Sequence, residues 1–143
     1  MIEITEKKIN SENVIESVIV PESGAVDVFI GTTRNHSNGK EVVKLEYEAY
    51  KPMALKKMEQ LIDEAQERWN IQKAAIVHRI GEVAVGEASV VIAVSSAHRD
   101  EAFTACRYLI DRLKEIVPIW KREYFIDGLV EWSKATHSEN QME

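Results

Sequence analysis

The sequence predicts an α+β domain, a mostly antiparallel sheet with amphipathic helices packed on it. Three observations predict it. Short apolar–polar alternations of period two recur along the chain. Two longer stretches, near residues 52–69 and 103–117, space their apolar residues as helices do. A tight-turn dipeptide, Asn38-Gly39, joins two of the strand-like stretches as a hairpin. Hairpins mixed with amphipathic helices suggest an α+β sheet, largely antiparallel, with helices packed on it.

Taken in order, Ile2 and Ile4 alternate with polar residues as a short strand would. Asn10 and Ser11 can each cap a short helix carrying Val14, Ile15 and Val18. Val26, Val28 and Ile30 mark a strand that is expected to break at Gly31. After the polar stretch from Thr32 to Gly39, a second strand places Val43, Leu45, Tyr47 and Ala49 on one face. Lys44, Glu46 and Glu48 take the other. Pro52 suits a first helical turn, and Leu55, Met58, Leu61, Ile62, Ala65 and Trp69 form the stripe of that helix, with Asn70 as its stop. Ala74, Ile76, His78 and Ile80 alternate in a further strand, and Gly81 turns the chain. Ser89 to Val94 is apolar on both faces, which predicts a central strand. Phe103, Cys106, Leu109, Ile110, Leu113, Ile116 and Val117 give the second long helix its buried side, and Pro118 should end it near Val117. Asp127-Gly128 reads as a turn, and Leu129 to Trp132 as a last short strand. Residues 1–133 thus read as one domain. Lys134 to Glu143 reads as a polar, fraying tail.

Composition narrows the function. With 143 residues, one domain is expected, large enough for a real core. A net charge of −6 argues against a general nucleic-acid binder, which needs a basic footprint, but leaves room for a local basic pocket. One cysteine, Cys106, allows neither an internal disulfide nor a multi-cysteine zinc site. The first residues show no basic-then-apolar signal segment, and no apolar run approaches the ~18 residues of a membrane span. A cytoplasmic address is expected.

Three segments concentrate basic and polar groups beyond what a fold needs. Gly31-Thr32-Thr33-Arg34-Asn35-His36 leaves a strand carrying hydroxyls, a guanidinium and an imidazole; a solvated hairpin loop would look the same. Ser95-Ser96-Ala97-His98-Arg99-Asp100 opens the second long helix. The free N–H groups and positive dipole end there suit an anion, and Arg99 could grip it bidentately. The plainer alternative is a helix start capped by Ser96. Lys114 lies at the edge of the apolar stripe, and Lys121-Arg122 follow the Pro118 turn. Edge lysines commonly lay their stems on apolar surface, and a charge pair after a turn can simply be solvated. Cys106 and His78 sit among apolar neighbours and read as packed core residues rather than nucleophile or ligand. No HExxH spacing, phosphate loop or nucleophile elbow is present.

Taken together, Gly31-Thr32-Thr33-Arg34-Asn35-His36, His78-Arg79-Ile80-Gly81-Glu82, Ser96-Ala97-His98-Arg99 and Trp120-Lys121-Arg122-Glu123 resemble the signature stretches of the molybdopterin synthase large (catalytic) subunit family. They occur in that order, with Lys114 seven residues before Lys121. The similarity runs roughly from Gly24 to Trp132. The resemblance implies a hammerhead-like α+β fold and a central homodimer. It also implies a small ubiquitin-like subunit at each end, together a heterotetramer. That partner's Gly-Gly tail would carry sulfur as a C-terminal thiocarboxylate. Cyclic pyranopterin monophosphate would receive two sulfurs to become the dithiolene of molybdopterin, with no resident cofactor or metal on this subunit.

Residue by residue, the resemblance implies that Thr32, Thr33 and Arg34 line the substrate pocket. His98 and Arg99 would hold the phosphate and ring oxygens. Lys114 and Lys121 would be the two active-site lysines, and Arg122 and Glu123 would complete the wall. Since sulfur arrives on the partner, no catalytic cysteine is needed; the site needs cations and a proton donor. Two other classes fit the same residues: a non-catalytic module that binds a ubiquitin-like partner, or one that binds a phosphorylated ligand.

Overall fold

A computed structural model describes residues 1–134. Its elements are β1 (Ile2–Thr5), α1 (Ser11–Val18), β2 (Ala25–Thr32), β3 (His36–Ser37), β4 (Lys40–Ala49) and α2 (Lys51–Arg68) in the first half. The second half holds β5 (Ile71–Arg79), β6 (Gly81–Ala84), β7 (Ala88–Ser96), α3 (Arg99–Ile116), β8 (Ile119–Phe125) and β9 (Val130–Lys134). They form the α+β architecture that the patterning predicts, in two sheets. The first runs β1-β5-β7-β2, parallel only between β1 and β5. The second runs β3-β4-β8-β9, antiparallel throughout, with β6 sharing the β3 edge of β4.

The first sheet is covered on both faces, which is why its central strands are apolar on both faces. Ala75, Val77, Val91 and Ala93 pack under α1 against Val14 and Val18. Their neighbours Ala74, Ile76, Ile92 and Val94 join the main core, with Met58 and Leu61 of α2 and Leu109 and Leu113 of α3. The same core takes in Val42, Leu45 and Tyr47 of β4 and Ile119 and Phe125 of β8, so it also joins the two sheets. Asn10 caps α1 by accepting from the Asn13 N–H at 3.2 Å. Val117 ends α3 just before Pro118. Glu64 ties α2 to α3 by accepting from the Tyr108 hydroxyl at 2.6 Å, with Arg112 nearby, and these bonds hold its carboxyl below the usual range.

Several details depart from the patterning. Gly31 lies inside β2 and does not end it. An added Cβ there would stand 2.8 Å from Val90 Cγ1, so close packing of β2 on β7 requires the glycine. A bulge between Val42 and Lys44 inserts one residue, so Val42 takes the core face and Val43 is exposed. Phe103 is 55% exposed; Ala102 and Ala105 face the core instead. Those small side chains turn the buried stripe of α3 towards themselves, and Phe103 falls at its edge. Ile30, like Phe103, is exposed. Three strands, β3, β6 and β8, carry no strand pattern in the sequence. β9 continues through Lys134, whose backbone pairs opposite Trp120. The rest of the expected tail lies outside the described residues. No helix is long and apolar enough to cross a membrane among the described residues.

Candidate functional site

The two sheets meet in a cleft of about 620 Å³ at the C-terminal end of β2. Thr32 and Arg34 enter it from the end of β2, just past the bulge between Gly31 and Thr32. The β3–β4 hairpin supplies His36, and its turn has the positive φ values at Asn38 and Gly39 that the dipeptide predicts. Lys114 comes from the last turn of α3, and Lys121 and Glu123 from β8. The floor is apolar in part, with Leu45, Val90, Ile110 and Leu113. Three cationic side chains separated by up to 87 positions thus share one space with a partly apolar base.

Thr32, Arg34, Lys114, Lys121 and Glu123 are therefore brought together. The other four candidates are not. Thr33 is buried, and its backbone fixes the β6–β7 turn: its N–H donates to Glu87 O at 3.1 Å and its carbonyl accepts from Gly86 N–H at 2.9 Å. Arg122 lies on the opposite face of β8 from Lys121 and Glu123, as the two-residue period of a strand demands. There it pairs with Glu46 at 3.3 Å, donates to the Tyr124 hydroxyl at 2.9 Å and stacks on the Trp132 ring at 4.1 Å. It is not part of the cleft wall.

His98 and Arg99 line a different pocket, of about 430 Å³, with Gly24, Ala97 and Asp100. His98 is the N-cap residue of α3 and makes no capping bond with its side chain. Ser96 does not cap the helix either; its hydroxyl donates to the His98 carbonyl. Two independent rulers separate the pockets. Along β2 the second pocket is lined by Gly24 and the cleft from Phe29 onward, about 17 Å apart at ~3.3 Å per residue. Lys114 is fifteen positions after Arg99 on one helix, about 22 Å at ~1.5 Å per residue. Within one chain, His98 and Arg99 line a different pocket from Lys114.

The cleft also gathers residues that patterning does not single out as site residues. Glu131 and Ser133 of β9 face it opposite Glu123 and Lys121. His78 and Tyr47 line it from β5 and β4, ring edge to ring face with centroids 5.1 Å apart. Alternation correctly puts both on the inner face; it cannot tell that the inner face borders a cleft there. Burial pushes the His78 imidazole down to about 4. The bond to the Arg79 carbonyl opposes that shift and the nearby Lys114 charge adds to it. Cys106 is buried under α3, as the stripe predicts. Burial, with help from Asp27, pushes its thiol up to about 12. It offers no thiolate near neutral pH. Among the described residues no group of three His, Cys, Asp or Glu side chains could hold a metal ion.

Fold and cleft define a two-sheet α+β protein with a cationic pocket suited to a small anionic ligand. Comparison with known proteins carries this further. Residues 4–116 match the model of the MoaE protein family, and the chain belongs to that family. It is 54% identical over 88% of its length to the molybdopterin synthase catalytic subunit of Bacillus subtilis, covering 80% of that protein. It is 54% identical to the subunit of the same name from Thermoplasma volcanium, over 92% of this chain and 96% of that one. The crystal structure of molybdopterin synthase from Staphylococcus aureus superposes with a TM-score of 0.87 at 46% identity, covering 92% of this chain and 95% of that one.

Proposed function

We propose that this chain is the catalytic subunit of a molybdopterin synthase. It transfers sulfur from the C-terminal thiocarboxylate of a small ubiquitin-like partner to cyclic pyranopterin monophosphate. One observation carries the reading: Arg34, Lys114 and Lys121, from three distant parts of a chain of this family, meet in one cleft. A partner is implied by the chemistry, since the only cysteine is buried and protonated and the sulfur must come from outside.

The residues divide the work by position. Arg34 and the two lysines offset the negative charge of a phosphate and of an acyl tail brought into the same space. The partner's sulfur attacks a substrate carbon and forms the C–S bond, and the displaced oxygen leaves with a proton from the Lys114 ammonium. Water then cleaves the acyl–sulfur bond, leaving sulfur on the pterin and a carboxylate on the partner. Holding both reactants in place can itself lower the barrier by roughly 7–11 kcal/mol.

The same reading makes the protein a homodimer at the centre of a heterotetramer. His98 and Arg99, at the far pocket, then act on the cleft of the second copy, because their own lies about 22 Å away along α3. Single-turnover conversion of the pterin by thiocarboxylated partner tests the function. Lys114→Ala should abolish product while the dimer and partner binding persist. Lys114→Arg should fail too, since guanidinium keeps its proton and has another shape. Lys121→Ala should retain partial activity. Partner binding without turnover by the wild-type protein would make it a binding module instead. Near wild-type turnover by folded Lys114→Ala would leave Lys114 as an edge lysine covering apolar surface.

A further inference from the structure

We propose, resting on the function just given, that His78 is a substrate-binding residue whose Nε2 accepts a hydrogen bond from a ring N–H of the bound pterin. His78 is 3% exposed and lines the cleft. Its Nδ1–H donates to the Arg79 carbonyl at 2.8 Å. That bond fixes the tautomer and leaves Nε2 with an acceptor lone pair. Tyr47, packed against the ring at an interplanar angle of 69°, fixes its plane. Among the described residues no hydrogen bond reaches Nε2. The imidazole stays neutral at working pH, because burial and the neighbouring Lys114 charge both disfavour a second proton.

Complementarity assigns the ligand atom. Arg34, Lys114 and Lys121 present donors, which suit phosphate and carboxylate oxygens. An aminopyrimidinone ring carries N–H donors that those cations cannot match. Glu123 and Glu131 are acceptors on the β8–β9 wall, but Glu131 is exposed and Glu123 partly so, and water competes there. His78 lies among Leu45, Val90 and Leu113, where a flat ring displaces water and a single acceptor counts for more.

The test uses the full chain and two probes, the pterin monophosphate and inorganic phosphate. In wild-type protein, the pyridine-type nitrogen resonance of His78, assigned with His78→Gln, should move on adding pterin and stay in place with phosphate alone. His78→Phe keeps the ring and its contact with Tyr47 but removes the acceptor. His78→Asn keeps only the donor to Arg79. Each should weaken pterin binding about three- to tenfold, the worth of a neutral hydrogen bond, without changing phosphate binding. His78→Gln, which can place an oxygen near Nε2, should bind more nearly as wild type. If pterin binds the wild type and the Nε2 resonance does not move, His78 is a packing residue and this proposal alone falls. A wild-type protein that takes phosphate but no pterin overturns the proposed function and this inference with it. If His78→Phe loses phosphate and pterin affinity alike, the effect is structural and the assignment is wrong.

Discussion

The two-pocket geometry gives a test with opposite signatures for its two explanations. Arg99 and Lys114 stand about 22 Å apart on α3 and line separate pockets. If both act on one substrate, they come from different copies. His98→Ala/Arg99→Ala should cost about ten- to hundredfold in precursor affinity, the worth of hydrogen bonds to a charged group. Lys114→Ala should remove turnover. Two differently tagged chains, one carrying each change, can be co-expressed and the mixed dimer purified. In a shared site, one cleft loses both groups and the other keeps both, so the dimer should show about half of wild-type activity. The companion dimer puts all three changes in one chain beside an unchanged one. There each cleft lacks something, and activity should fall to background at low substrate. Single-chain sites give the reverse pattern, background for the first dimer and about half for the second. That reversed result, measured as initial rates below saturation, would refute the shared-site reasoning.

The other expectations are simpler. Cys106→Ala should keep sulfur transfer, because the thiol is buried and held far above neutral pH; urea unfolding should register a loss of about 1 kcal/mol for the missing core atom. Arg122→Ala should leave pterin affinity unchanged by calorimetry while lowering the urea midpoint, since Arg122 does not line the cleft and its partners Glu46 and Tyr124 lie outside it. A drop in affinity with unchanged stability would return Arg122 to the wall. Glu87 accepts from Arg79, Lys8 and the Ala84 N–H, and the Lys8 contact leads in holding its carboxyl at about 2, below the ordinary 4.5. Its folded value lies below the unfolded one, so its contribution is full above pH 4.5 and fades as pH falls towards about 2. Glu87→Gln should thus lower the melting temperature at neutral pH, and the difference should vanish in strong acid; a constant difference across that range would show that ionisation is not involved.

The elements with strong local signals are legible in the amino-acid pattern alone. The stripe around Met58 and Leu61, the doubly apolar run at Ser89–Val94 and the Asn38-Gly39 turn each depend on neighbours a few residues away, and each forms as its pattern predicts. The signature stretches are legible too, and they name the family. β8 is hidden because only its ends, Ile119 and Phe125, reach the core, while its middle residues face the cleft or the outer side of the sheet; Lys121 and Arg122 are both polar, so the period does not show. The bulge at Val43 is likewise invisible, because one inserted residue shifts facing without changing composition.

By itself, then, the sequence determined which residue types the chemistry has available, and where helices and turns fall. Only the tertiary structure decided which of those residues share a space. Arg34, Lys114 and Lys121 meet because β2, α3 and β8 end or pass at the junction of two sheets. His98 and Arg99 do not, because a helix of eighteen residues is rigid and carries its two ends to opposite sides of the domain. Arg122 turns away from its neighbour Lys121 because a strand sends successive side chains to opposite faces. Adjacency in sequence is set by covalent bonds; adjacency in a site is set by where rigid elements begin and end.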